Sequence, residues 1–386
     1  MLPDNLPQLL KGTSTPCFYY DVDLLERTVA AMQTAAGRFG YRVHYALKAN
    51  SNNKLVKIIA EAGVGADCVS GNEILRAKEC GITNDHIAFA GVGKNDDEIN
   101  IGLDNDIFSF NVESIQEIEV INELAAAKGK KARIALRLNP DVNANTHHYI
   151  TTGLEENKFG ISKWELEEVL KTIDRSENIE LIGIHFHIGS QIIDMNSYRN
   201  LCLRVNDFQE WFREHNIRID HVNVGGGLGI DYFNPDANSI VDFESFFGIF
   251  NEFLELYPHQ TLHFELGRSI IGLCGDLIAK VLYIKNGVKT NFAILDAGMT
   301  ELIRPALYQS YHKIENLSKK GSSNTDFYDV VGPICESSDL FGKRVKLPVT
   351  ERGDLVAIRC AGAYGEVMQS QYNLREKAEV IYSDEL

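Results

Sequence analysis

The stretch Val43-His-Tyr-Ala-Leu-Lys48-Ala-Asn50 decides how this chain is read. Val43 to Leu47 are apolar or aromatic enough to form a buried strand. A lysine stands at the carboxyl end of that strand, followed by the small polar run Asn50-Ser51-Asn52-Asn53. A lysine placed there is partly withdrawn from water, which weakens its preference for the charged form, and the free amine is a nucleophile suited to a Schiff base. The plainer alternative is a lysine that snorkels from the strand end or pairs with a nearby carboxylate.

Outward from this stretch a rhythm appears. Short apolar runs recur near 43–47, 65–69, 86–90, 106–110, 133–138, 181–187, 220–224 and 261–265. Between them lie segments with helical patterning, such as 53–62, 73–80, 113–128 and 164–173. Strands alternating with helices imply parallel pairing through right-handed crossovers, and eight such units match a (β/α)8 barrel. An open doubly wound sheet is the alternative, and usually shows fewer units before its topology switches. A barrel demands that chemistry gather at the carboxyl ends of its strands. Lys48 ends the first run, Asp67 and Ser70 the second and Arg137 the fifth. His187 ends the sixth, Gly225-Gly-Gly227 the seventh and Glu265-Leu-Gly-Arg268 the eighth.

Past about residue 275 the rhythm changes. Segments 277–284, 292–296, 327–331 and 355–360 read as strands with little helical pattern between them. The expected architecture is therefore α/β: a (β/α)8 TIM barrel over 25–275, then a C-terminal all-β domain over 276–386, a β-sandwich or Greek-key barrel. An N-terminal strand within residues 1–24, at 16–20, is expected to join that second domain, with Asp21 capping a helix that runs to about residue 39.

Composition narrows the class of function. The chain has 386 residues, 44% hydrophobic and 24% charged, as ordinary soluble proteins do. A net charge of -16 argues against nucleic acid as a partner, because phosphate binding needs a basic face. No apolar run approaches a membrane span, and Met1-Leu-Pro-Asp-Asn-Leu6 lacks the basic-then-apolar pattern of a leader. Seven scattered cysteines without a C-x-x-C argue against a disulfide framework or zinc ribbon, and a cytoplasmic location is expected.

Several motifs carry chemistry. Val224-Gly-Gly-Gly-Leu-Gly229 follows a strand, and bare backbone N–H groups there form an anion cradle. It is neither a dinucleotide fingerprint, since Ile230 stands where a third glycine is needed, nor a Walker loop. Either phosphate binding or a tight turn fits it. Glu265 could keep a pyridine nitrogen protonated, which makes the ring an electron sink, or could pair with Arg268 as a structural ion pair. His185-Phe-His187 alternates on one side of a strand. A metal site lacks a third ligand at suitable spacing, so a histidine stacked on a flat cofactor or packed in the core is expected, and no metal. Cys335-Glu336 follows a strand and turn, where a thiol can donate a proton and a carboxylate can hold an ammonium; an inert buried cysteine is the alternative. Arg304-Pro-Ala-Leu-Tyr308 offers a guanidinium suited to a carboxylate.

These motifs in this order resemble the fold-type III pyridoxal-phosphate-dependent decarboxylases. The matching stretches are Tyr45-Ala-Leu-Lys-Ala-Asn50, Lys158-Phe-Gly160, His185-Phe-His-Ile-Gly-Ser-Gln191, Gly225-Gly-Gly-Leu-Gly229, Glu265-Leu-Gly-Arg268, Arg304-Pro-Ala-Leu-Tyr308, Cys335-Glu-Ser337 and Gly362-Ala-Tyr364. The resemblance spans about residues 14–375. It implies pyridoxal 5'-phosphate as cofactor, Lys48 as the internal aldimine, His187 stacked on the ring, Arg137 near the ring hydroxyl and Asp67 at the lysine. It implies Ser190, Gly226, Gly227 and the main chain of Gly267 and Arg268 at the phosphate, with Glu265 at the pyridine nitrogen. Arg268, Arg304 and Tyr308 are implied to bind substrate, with Tyr364 near substrate and phosphate. Cys335, as proton donor, and Glu336 are implied to come from a second subunit of a homodimer. The implied reaction, the last step of lysine biosynthesis, is decarboxylation of meso-2,6-diaminopimelate at its D-centre to L-lysine and CO2. A decarboxylase of ornithine, lysine or a carboxylated polyamine, an amino-acid racemase and a non-enzymatic cofactor carrier are the alternatives. Leu266 departs from the proline usual in the family.

Overall fold

Eight parallel strands close into a barrel in the computed structural model, which describes residues 2–142 and 158–386. After a short first strand, β1 (Cys17–Tyr20), the barrel strands follow in chain order. They are β2 (Arg42–Ala46), β3 (Gly65–Cys68), β4 (Ile87–Phe89), β5 (Ser109–Val112), β6 (Ala132–Arg137), β7 (Ile179–His185), β8 (His221–Asn223) and β9 (Thr261–Leu266). Each pairs in parallel with the next, and β9 closes on β2 with Glu265 opposite His44 and Leu266 opposite Tyr45. All eight apolar runs of the sequence are barrel strands.

The helices between them start where a polar side chain can satisfy the open N–H groups of a first turn. Asn52, Ser70 and Ser114 accept hydrogen bonds from Lys54, Glu73 and Glu117 backbone N–H groups at the starts of Asn53–Glu61, Gly71–Glu79 and Ile115–Ala127. Asn95 and Glu98 form a reciprocal capping box ahead of Asp96–Asp104. Ser70 is thus a helix cap, which accounts for its place at a strand end. Asp21 accepts from Leu24 N–H at 3.0 Å and caps Val22–Arg38.

The barrel belongs to a unit of residues 29–229 and 242–267. A second unit comprises residues 1–28, 230–241 and 268–386. Its strands are β10 (Gly275–Asn286), β11 (Asn291–Leu295), β12 (Ile314–Asn316), β13 (Thr325–Val331), β14 (Leu340–Pro348), β15 (Leu355–Ile358) and β16 (Glu379–Tyr382). They form one connected eight-stranded sheet that branches at the long strand β10. The first half of β10 lies between β1 and β15, and its second half pairs with β11. β1 is antiparallel to β10 and parallel to β16, so the N-terminal strand is part of this sheet.

The unit boundaries differ from 24 and 275, and segment 230–241 lies with the second unit rather than the barrel. Ile230 and Tyr232 are buried there with Leu273 and Cys360. Arg359 grips the Asp236 carboxylate with both terminal nitrogens, at 3.2 and 3.0 Å. Among the described residues no helix is long and apolar enough to cross a membrane.

Candidate active site

In the barrel unit the polar side chains that matter sit at or next to strand ends. Lys48 lies in the single turn Leu47–Ala49 that follows β2, and Asp67 stands one residue short of the end of β3, opposite Ala46. The Lys48 ammonium donates to Asp67 Oδ2 at 2.7 Å. The two environments are unequal: the lysine side chain is 35% exposed and the aspartate fully buried. Burial, then the negative charge of Glu265, pushes the Asp67 carboxyl up to about 6, against the pull of Lys48. Asp67 Oδ1 has no hydrogen-bond partner among the described residues.

Glu265, near the end of β9, is buried and held by three donors. Its Oε1 accepts from Asn111 Nδ2 at 3.1 Å and Asn223 Nδ2 at 2.8 Å. Its Oε2 lies 2.9 Å from His185 Nε2. A carboxylate only accepts, so the proton of that contact is on Nε2. Burial alone raises a carboxyl, but the charge and hydrogen bond of His185 and the charge of Lys48 outweigh it and hold Glu265 well below its usual range. Glu265 is therefore a permanent anion on a fixed mount.

Arg137, the last residue of β6, donates to Glu113 Oε1 at 2.8 Å, and its guanidinium lies 4.7 Å from the centre of the Phe159 ring. Glu113 Oε2 accepts from Gly160 N–H at 3.1 Å. His187 follows β7 and is half-buried; its enclosure, with the charges of Lys48 and Arg137, holds its imidazole neutral, well below the ordinary histidine value. Gly226 N–H points at His187 Nδ1 at 3.4 Å.

The glycine run after β8 has no room for side chains. A Cβ on Gly226 would lie 1.8 Å from the Glu265 carbonyl oxygen, and one on Gly227, whose φ is +96°, 2.5 Å from the Gly189 carbonyl oxygen. A Cβ on Gly267 would meet Ala49 Cβ at 2.9 Å. Leu266, in place of the usual proline, continues the ladder from β9 to Tyr45. Ser190 is half-buried in the loop after β7. The donor set thus fits pyridoxal phosphate: an amine, a fixed anion for the ring nitrogen, a guanidinium, a flat neutral imidazole and a bare-backbone cradle for a phosphate.

In the second unit, Arg268 and Arg304 are both buried. They donate to the same atom, the Tyr232 hydroxyl, at 2.5 and 2.7 Å. The Arg268 guanidinium lies 4.9 Å from the centre of the Tyr364 ring. Tyr308, half-buried, ends the helix Arg304–Tyr308.

Cys335 and Glu336 are exposed on the turn between β13 and β14. Glu336 accepts from the Tyr372 hydroxyl at 2.8 Å, and Cys335 N–H donates to Asn373 Oδ1 at 3.2 Å. The turn is fixed by buried Asp339, which accepts from the Ile334 and Met299 backbone N–H groups at 2.7 and 2.6 Å. The fold thus brings Lys48 and Asp67 together in one unit, with Glu265 electrostatically linked to both, and Arg268, Arg304 and Tyr364 together in the other.

Asn111, Asn223, Glu113 and Tyr232 lie outside the motifs read from the sequence. The first two had a usable signal: polar residues at period two inside short, largely buried strands face the barrel interior. Tyr232, in an irregular segment, had none.

A family model for the pyridoxal-binding domain of pyridoxal-dependent decarboxylases matches residues 22–272. The diaminopimelate decarboxylase of Bacteroides thetaiotaomicron is 56% identical over 373 residues, covering 96% of each chain. That of Aquifex aeolicus is 39% identical, covering 97% of this chain and 88% of its own. The crystal structure of Helicobacter pylori diaminopimelate decarboxylase complexed with L-lysine superposes with a TM-score of 0.92 at 38% identity, covering 99% of this chain and 95% of that one. A lysine/ornithine decarboxylase from Vibrio vulnificus shares the fold at 21% identity, with a TM-score of 0.85. With the lysine, anion and glycine cradle in place and these relatives along its whole length, the chain belongs to the pyridoxal-dependent decarboxylases, in the diaminopimelate decarboxylase family.

Proposed function

We propose that this chain removes the carboxylate from the D-centre of meso-2,6-diaminopimelate, giving L-lysine and CO2. The observation that carries the reading is the barrel site itself: a lysine amine on a buried aspartate, with a permanently ionised glutamate held by three donors. The diaminopimelate decarboxylases it matches over nearly their full length support the choice of substrate.

Pyridoxal phosphate, when bound, supplies an aldehyde carbon that joins an amine and a ring that takes up the electron pair left when the carboxylate departs. Lys48 would provide the amine that holds the cofactor. Asp67 orients that amine. Glu265, anionic throughout the working pH range, holds a proton on the ring nitrogen. His187, held neutral, would stack on the ring, and Arg137, fixed by Glu113, would reach its hydroxyl. Ser190 and the main chain of Gly226, Gly227, Gly267 and Arg268 take the phosphate. Arg268, Arg304, Tyr308 and Tyr364 take the substrate.

Cys335 donates the proton that replaces CO2 on carbon, and Glu336 holds the distal ammonium. Both come from the partner subunit of a homodimer in this reading, and their exposure on a rigid turn of the single chain suits that role. Seven free cysteines accord with action in the reducing cytoplasm.

The test is CO2 release, with product identification, from holoenzyme given meso-diaminopimelate, L-lysine, L-ornithine or D-ornithine in turn. Release from diaminopimelate alone is expected. Release from another substrate at equal or greater efficiency refutes the substrate assignment.

A further inference from the structure

The arginine pair of the second unit has an unusual mount. Two buried guanidiniums converge on one neutral oxygen, the Tyr232 hydroxyl. Arg304 is otherwise held by neutral groups: Nη2 donates to Ser310 Oγ at 3.3 Å, and Nη1 lies 3.3 Å from His312 Nε2. His312 Nδ1 lies 2.8 Å from the Arg359 carbonyl oxygen, which only accepts, so Nδ1 carries the proton and Nε2 offers a lone pair to Arg304. Burial, then the charge of Arg304, pushes His312 down to about 3, so it adds no charge. No carboxylate pairs with Arg304 among the described residues. A buried guanidinium held by neutral groups alone, as Arg304 is among the described residues, calls for an anion from outside.

The Tyr232 oxygen has two lone pairs, and the two arginines use both. Among the described residues no acceptor takes its own proton, which is left to donate. The ring is fixed by His312, edge-on at 5.1 Å, and by packing with Ile230, Leu273 and Cys360. The segment that carries it is tied down at Asp236 by Arg359, which also binds Asp276 and Glu315.

We propose that Tyr232 is the specificity-determining positioning residue of a carboxylate socket: its hydroxyl gathers Arg268 and Arg304 onto one point and presents a proton beside them. An amino acid with a carboxylate beyond its reacting centre is thereby preferred over one without. This rests on the reading above that both arginines face substrate.

The test uses Tyr232→Phe holoenzyme, which keeps the ring and its packing. Three constants are measured: KM for meso-diaminopimelate, Ki for L-lysine (which keeps the distal carboxylate) and Ki for 1,5-diaminopentane (which has none). KM and the lysine Ki are expected to rise together by about tenfold, the scale of a lost hydrogen bond to a charged group. The diamine Ki, the cofactor absorbance and the thermal midpoint are expected to hold, with kcat falling less than KM rises. A lysine Ki within twofold of the wild type, or a diamine Ki that moves in proportion, overturns the proposal. Arg304→Met separates the two layers. If it raises the lysine Ki while Tyr232→Phe does not, the socket stands without Tyr232. If neither moves it, the assignment of Arg304 to substrate has failed as well.

Discussion

Glu265→Gln changes charge with almost no change in shape, and the structure says what each atom then meets. The amide oxygen can keep the bonds from Asn111 and Asn223 at Oε1. The amide nitrogen then faces the His185 Nε2 proton across 2.9 Å, donor against donor. Relief requires Nε2 to give up its proton, leaving the ring N–H on His185 Nδ1, which has no partner among the described residues. A buried donor left unsatisfied costs about 1–3 kcal/mol. The larger effect is on chemistry. A unit charge pair at roughly 3 Å, in an effective dielectric of about 20, is worth about 5 kcal/mol. If the amide dipole retains half of that, the barrier rises by about 3 kcal/mol, or roughly a hundredfold in kcat. The assay is single-substrate turnover at saturating cofactor, with the thermal midpoint of the apoprotein beside it. The account expects a large fall in kcat, a small fall in midpoint and retained cofactor. A kcat within fivefold of the wild type refutes the role of Glu265 as the anion that keeps the ring nitrogen protonated.

Other expectations follow from single features. Cys335→Ala should lower turnover by about a hundredfold or more while cofactor binding persists, the usual scale for a lost proton donor; unchanged turnover removes Cys335 from the mechanism. Mixing Lys48→Ala with Cys335→Ala chains should restore about a quarter of wild-type activity if sites are shared across a two-fold dimer and chains pair at random. No recovery after verified subunit exchange argues for sites complete within one chain. Gly226→Ala drives a Cβ to within 1.8 Å of the Glu265 carbonyl oxygen, so cofactor affinity, read by fluorescence quenching, should fall by well over tenfold, and normal affinity refutes the cradle.

His44 gives a pH signature. Its Nε2 lies 2.9 Å from His263 Nδ1, and burial draws its value from 6.5 down to about 4. The unfolded chain therefore takes up a proton below pH 6.5 that the folded protein refuses until about pH 4. The stability is complete above pH 6.5 and is lost as pH falls, by about 3 kcal/mol at pH 4. Urea midpoints at pH 7 and 4.5 should diverge more for the wild type than for His44→Gln, and parallel slopes contradict this.

The barrel was legible because each of its eight strands is short, apolar and bounded by polar caps, so period and spacing survive in the sequence. The second sheet was only half legible. β14, Leu340-Phe-Gly-Lys-Arg-Val-Lys-Leu-Pro348, pairs only with β13 among the described residues and carries three cations, so neither an apolar run nor strict alternation marks it. β12 and β16, three and four residues long, lie outside the regular strand–helix alternation that marks barrel strands of the same length. Segment 230–241 continues the chain from a barrel glycine turn yet is held elsewhere by Arg359, a contact separated by more than a hundred residues. At the site, Lys48, Asp67, Glu265 and the glycines announce themselves by residue type at strand ends. Asn111 and Asn223 show only as polar residues at period two inside short strands, and Tyr232 lies in an irregular segment that no local pattern marks.

The most direct measurement of the central claim is turnover of meso-diaminopimelate in deuterium oxide, with the product resolved by chirality and by mass. The account predicts CO2 and L-lysine that carries one deuterium at its ε carbon, the former D-centre, and none at the α carbon. D-lysine as the product, or deuterium entering diaminopimelate without CO2 release, contradicts decarboxylation at the D-centre and makes the chain a different kind of catalyst.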